Sequence, residues 1–128
     1  MQTAALIAVA LIGALAVFQL ALALGAPFGA AAWGGRNPGV LQRNLRIASA
    51  VVGLVVYPIM AATILAAAGL IDDEWLPIDP IVAMWILTGF FALGAIVNAV
   101  SRSAPERIWT PVSAVLAICC ALIALSNL

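Results

Sequence analysis

The sequence predicts an all-α polytopic membrane protein, a single-domain antiparallel bundle of four transmembrane helices. Three observations carry this. The 128 residues are 66% hydrophobic and 8% charged, which leaves too little polar surface to cover a water-soluble globule. Four apolar runs approach the roughly 20 residues that a helix needs to cross a hydrocarbon core of about 30 Å. The segments between them alternate in character: Arg36, Arg43 and Arg46 lie in or beside the first, Asp72, Asp73, Glu74 and Asp79 in the second, and Arg102 and Arg107 flank Glu106 in the third.

The first run, 3–26, contains Ala21 to Ala23, small residues that imitate a signal-peptide cleavage site. It lacks a positive leader and is longer than a signal-peptide core of about 7–15 residues, so a retained helix is expected. The second run, 45–70, would be about 39 Å long as a helix and must tilt or bend to fit. It contains Pro58, which removes one backbone donor and leaves the Leu54 carbonyl without its usual partner. A kink between Leu54 and Pro58 is expected, with Pro58 the candidate hinge. The third run, 81–100, follows Asp79-Pro80, a capping carboxylate and a proline whose missing N–H costs nothing in a first turn. Ahead of the fourth run, 108–125, Ser103 and Glu106 have capping-box spacing.

Every arginine lies beside the first or third connection, and the positive-inside rule places both in the cytoplasm. Both termini are then extracytoplasmic, in what would be a bacterial inner membrane. Trp33 and Trp109 fall at the inner interface and Trp75 and Trp85 at the outer one, where amphipathic rings sit. Gly34, Gly35 and Asn37-Pro38-Gly39 form a turn signal in the first connection. If Asn37 caps a helix, residues 38–46 lie in the membrane surface with Val40, Leu41 and Leu45 toward lipid and Gln42, Arg43 and Arg46 toward water.

The chemistry is marked by what is missing. The chain has no His or Lys, and no carboxylate falls inside a predicted span, so the buried acid on which proton-coupled carriers depend is not expected. Cys119 and Cys120 are adjacent, without metal or redox spacing, and read as small apolar fillers; no metal is expected. Gly25, Gly29, Gly34 and Gly35 match no phosphate-binding loop and are expected to let an irregular backbone lie against the bundle. No cofactor is expected. The formal net charge of zero suggests no nucleic-acid partner, leaving the lipid bilayer and other membrane chains.

The polar residues left in the spans gather toward one side. Counted from the cytoplasmic ends, Gln19 lies about 10 Å deep, Ser113 about 8 Å, and Ser49 and Asn98 about 5 Å. With Arg46 and Arg102 they form a candidate pocket for an anionic or amphipathic ligand such as a lipid headgroup. The bland alternative is interhelical hydrogen bonding, with Gln19 and Asn98 paired to each other, to Ser49 or Ser113, or through water. Ala16 and Ala23 flank Gln19, Gly94 and Ala95 precede Asn98, and Thr88, Ala92, Ala95 and Ala99 form a narrow stripe able to seal a bundle or a homo-oligomer.

The segments Leu24-Gly25-Ala26-Pro27-Phe28-Gly29, Ala32-Trp33-Gly34-Gly35 and Leu45-Arg46, with Gly94, Asn98, Ser101-Arg102-Ser103 and Glu106-Arg107, resemble a group of small four-helix integral membrane proteins of high-GC bacteria. The resemblance implies topology and brings no catalytic residue. Three classes of function follow, in order. The first is a structural or accessory subunit acting through helix contacts in a homo-oligomer or larger membrane complex. The second is an oligomeric channel, transporter or amphiphile-binding protein using the inner polar set. The third is a lipid-directed enzyme using the carboxylates at Asp72, Asp73, Glu74 and Asp79, a cluster that reads more simply as a solvated loop.

Overall fold

The computed structural model describes residues Gln2 to Asn127, and among them the fold is entirely helical. Four helices are long and apolar enough to cross a membrane: α1 (Gln2–Ala23), α2 (Arg43–Ala67), α3 (Pro80–Ala99) and α4 (Ala104–Ser126). They form an antiparallel bundle, and the chain is a multi-pass membrane protein. α1 packs along α2 and α3 along α4, and the two hairpins join mainly through α1 and α4. α1 and α3 therefore sit on a diagonal. α3 meets α2 along Tyr57–Ala67 and has no comparable contact with its earlier half.

One end of the bundle carries the acidic connection and the other the arginines. The main core lies toward the acidic end, where Ala5, Ala8, Ile12, Ile64, Met84, Cys120 and Ile123 are almost wholly buried. Alanines there let the backbones approach closely, and dispersion contacts hold them, because lipid offers no hydrophobic drive between helices. Asp79 caps α3 as its position requires: Oδ1 accepts from the N–H groups of Ile81 at 2.8 Å and Val82 at 3.3 Å. Asn127 Nδ2 donates to the carbonyls of Ile123 at 2.7 Å and Ala67 at 3.3 Å, tying the end of α4 to the end of α2. Trp75 Nε1 donates to the Asp72 carbonyl at 2.7 Å within the acidic loop.

Pro58 is accommodated by a π-helical turn over Val52–Val56, in which the Tyr57 N–H reaches back to the Val52 carbonyl. The wider turn shifts the hydrogen-bond ladder just before the residue that cannot donate. It also brings Gly53 against α1, where a Cβ would stand 3.1 Å from the Ala16 carbonyl oxygen and from the Leu20 side chain.

At the arginine-bearing end the expected surface helix over 38–46 does not form. Gly39 adopts φ +80°, its carbonyl accepts from the Gly29 N–H at 2.8 Å, and the helix starts at Arg43 after Gln42. Leu41 turns inward with Leu22 and Ala32, and Leu45 packs against them, so these apolar side chains are covered by the chain itself. A Cβ on Gly29 would collide with the Asn37 carbonyl oxygen, which is why this chain reversal takes glycine.

The capping box at Ser103 and Glu106 is also absent. Ala104–Ile108 is a 3₁₀ turn, and the Ser103 hydroxyl donates to the Ala30 carbonyl of the first connection instead. The two backbone donors of a capping box are used elsewhere, the Glu106 N–H on the Ser103 carbonyl at 3.1 Å and the Ser103 N–H on Ser101 Oγ at 3.2 Å, and Glu106 turns into the bundle.

Candidate functional site

The first connection folds over the third and roofs the arginine-bearing end. Trp109 Nε1 donates to the Ala31 carbonyl at 2.8 Å, and the Ser103–Ala30 bond lies beside it. Gly35 sits so close to Ser103 that a Cβ would overlap that side chain. Trp33, Gly34 and Gly35 all take positive φ, and Trp33, at φ +52°, is the one non-glycine in that region among the described residues. A bulky residue there is strained. The strain is offset where Trp33 Nε1 donates to Ser49 Oγ at 2.9 Å, with Ser49 fully buried.

Beneath this roof lies a cavity of about 260 Å³. Six of the chain's nine aromatic residues line it: Phe18, Trp33, Tyr57, Phe90, Phe91 and Trp109. Gln19, Asn98, Ser113 and Glu106 supply its polar groups. Phe18 and Trp109 rings lie 4.8 Å apart and tilted, and Phe90 and Phe91 meet edge to face at 5.3 Å. The cavity exists because α3 stands away from the Arg43–Val56 part of α2. Adjoining it is a more open basin of about 930 Å³ lined by Arg36, Arg102, Ser101 and Ser103. Trp33, Gly34, Val97 and Glu106 line both and mark the boundary between them.

The structure divides the residues singled out in the sequence. Gln19, Asn98 and Ser113 share the inner cavity, and Arg102 lines the basin. Ser49 does not join them, because it is occupied by Trp33. Arg46 is also turned elsewhere: its Nε donates to the Ala23 carbonyl at 3.0 Å, so a cation caps the negative end of the α1 dipole. Gln19 and Asn98 point into the bundle but make no hydrogen bond to each other, to Ser49 or to Ser113 among the described residues; Gln19 Oε1 is buried without any partner. Depth along parallel helices had suggested contact, and the diagonal placement of α1 and α3 prevents it. Pro58 lies outside the cavity lining, next to Tyr57, which is part of it.

Glu106 is the residue that sequence reasoning missed. It is 5% exposed, and its Oε2 is buried with no hydrogen-bond partner. Its neighbour Arg107 faces away, donating from Nε to the Ser101 carbonyl at 3.0 Å. Arg36 and Arg102 are exposed. The available signal is the clustering of Phe18, Phe90, Phe91 and Trp109 in the arginine-side half of the spans, with Tyr57 near mid-span.

Cys119 and Cys120 are free and buried in the core, away from this site. Among the described residues no group of His, Cys, Asp and Glu side chains is placed to hold a metal ion. Comparison with known proteins finds no match among family models, curated proteins or solved structures.

Proposed function

We propose that this protein binds an amphiphile within the membrane, at the cavity of the arginine-bearing end. The carrying observation is the concentration of six aromatic side chains and four polar ones around one cavity in a chain otherwise built of aliphatic helices. Ligand sites have this composition: mostly apolar walls with a few polar groups that fix orientation. The gap between α3 and the first half of α2 gives an apolar chain an entry from the lipid side. The basin at Arg36 and Arg102 gives a polar head access to water.

The arginine-bearing end faces the cytoplasm in this reading, with both termini outside a bacterial inner membrane. Thiol labelling tests that placement. Arg36→Cys should react with an impermeant reagent only from inside and Asp73→Cys only from outside; the reverse result overturns it.

The binding test uses the chain's own fluorescence. With Trp75 and Trp85 replaced by Phe, Trp33 and Trp109 report on the cavity alone. Titration with a dodecyl maltoside brominated on its chain should quench them along a saturating curve. Quenching that only rises in proportion to the probe in the micelle means unspecific lipid contact and overturns the proposal.

A second reading, an accessory subunit held by helix contacts, is favoured by α3. Ala92 and Ala99 of its small-residue stripe are exposed, as are Ile86, Phe90, Leu93 and Ile96, so the stripe does not seal this bundle. An oligomer in mild detergent that Ala92→Leu converts to monomer supports it, and a monomer for the unaltered chain overturns it.

A further inference from the structure

The two unpartnered oxygens of the cavity point to the head group. Among the described residues three buried side-chain oxygens have no hydrogen-bond partner: Gln19 Oε1, Glu106 Oε2 and Thr110 Oγ1. Thr110 is outside the cavity lining, whereas Gln19 and Glu106 are both part of it. A carboxamide oxygen and an ionised carboxylate can only accept. Leaving either buried and unpaired is costly, most of all the charge. What both need is a donor, and a cationic one would also offset the charge of a carboxylate at Glu106. Among the described residues none provides it: Arg46 and Arg107 are turned to the carbonyls of Ala23 and Ser101, Arg43 is exposed beside Ala23 and Ile47, and Arg36 and Arg102 lie exposed in the basin.

The walls agree. Trp33 and Trp109 line the cavity with Glu106, and aromatic faces attract cations through the negative side of their quadrupole, most strongly for indole and when desolvated. An anionic head would instead meet a buried carboxylate, a like charge at short range.

We propose that the cavity takes the alkylammonium group of an amphiphile, with Glu106 as its counter-ion, Gln19 Oε1 accepting a second N–H, and the aromatic walls around the cation. This rests on the amphiphile-binding reading above and adds the charge and donor capacity of the head. A primary ammonium, with three N–H donors, satisfies both oxygens, and a quaternary one satisfies only the charge. The same chemistry is available from a free lipophilic amine and from the ethanolamine head of a phospholipid, whose phosphate would extend into the basin toward Arg36 and Arg102.

The test displaces the brominated maltoside from the Trp75→Phe, Trp85→Phe protein with dodecylammonium chloride, dodecyltrimethylammonium chloride, sodium dodecyl sulfate or lysophosphatidylethanolamine, each kept well below the maltoside in the micelle. Dodecylammonium should compete best, the trimethyl form less well, and the sulfate least. Glu106→Gln should weaken dodecylammonium about tenfold or more, the scale of one charge-assisted hydrogen bond. The loss is read as the change in the ranking of dodecylammonium against the trimethyl form and the sulfate on the same variant, since the carboxamide keeps the shape and loses the charge. Cooperative thermal melting near the temperature of the parent protein shows that the variant is folded.

Lysophosphatidylethanolamine that competes as well as dodecylammonium identifies a lipid source, and weaker competition a free amine; either outcome supports the ammonium site. Sulfate competing as well as ammonium, or a Glu106→Gln protein with unchanged head-group ranking, overturns it while leaving amphiphile binding intact. Absence of saturable maltoside quenching, together with failure of every alkylammonium to bind in its own titration followed by protein melting, removes both.

Discussion

In the acidic half of the bundle, the helices close on Ala5, Ala8, Ile64, Met84 and Ile123, and their ends are finished by Asp79 and Asn127. In the arginine half α3 stands away from α2, two connections fold across the opening, and a carboxamide oxygen and a carboxylate oxygen stay buried without partners. One half has converted its sequence into packing. The other has kept polar groups, strained backbone and empty volume, features that cost stability and that folds retain where they serve binding. The difference teaches that a small membrane bundle can assign its halves separately, with α3 parted from α2 at one end while α1 stays packed on α2 and α3 on α4.

If that division is right, the two halves respond to mutation with different magnitudes and signs. The largest effect is expected at Ile64, fully buried among the closed helices. Ile64→Ala should destabilise by about 2 kcal/mol or more, since the cavity left behind costs roughly 24 cal/mol per Å³ even where transfer from water does not enter. Denaturation in mixed micelles measures it, and a change below about 0.5 kcal/mol would break the description of the acidic half as tightly packed.

Asp79→Ala removes the cap of α3 and should cost about 1 kcal/mol by the same measurement. The expected loss is confined to the acidic end, with maltoside binding unchanged. A loss of binding would show that the halves are coupled.

The smallest effect, and the most telling in sign, is expected at Gln19. Replacing it by Leu removes an acceptor that has no partner, so stability should stay within about 0.5 kcal/mol of the original or rise, whereas a hydrogen-bonded carboxamide would cost about 0.6–2 kcal/mol. Destabilisation in that second range would mean that Gln19 is interhelical glue after all.

How far the sequence foretells this depends on whether a feature is local. Continuous hydropathy locates all four spans, since each run is read within its own segment. The Asp79-Pro80 cap is legible because acceptor and donors are neighbours in the chain. Pro58 marks where α2 departs from regular geometry, although the π turn that absorbs it depends on packing against Ala16 and Leu20. The candidate site was legible in part: Gln19, Asn98 and Ser113 could be placed at similar depth from helix rise alone. Their partners could not, because depth does not reveal that α1 and α3 are diagonal. Glu106 was hidden for a related reason. Its spacing from Ser103 fits a local cap, but the 3₁₀ turn sends the Glu106 N–H to the Ser103 carbonyl while the Ser103 hydroxyl reaches Ala30, 73 residues away. Leu41, expected toward lipid, is buried by the same roof.

The central contrast is between an aromatic-lined cavity among the helices of the arginine half and, at the acidic end, a hollow of about 310 Å³ confined to the helix ends and loop at Ala67, Gly69, Asp73 and Asn127, above a closed core. Single cysteines placed in a protein whose Cys119 and Cys120 are replaced by Ala test it directly. Asn98→Cys, at the cavity wall, should react with a small methanethiosulfonate reagent and be protected by saturating dodecyl maltoside, while Ala8→Cys, fully buried in the closed half, should stay unreactive in the folded protein. Equal reactivity at both positions, or a reactive Asn98→Cys that the maltoside leaves unprotected, would contradict it.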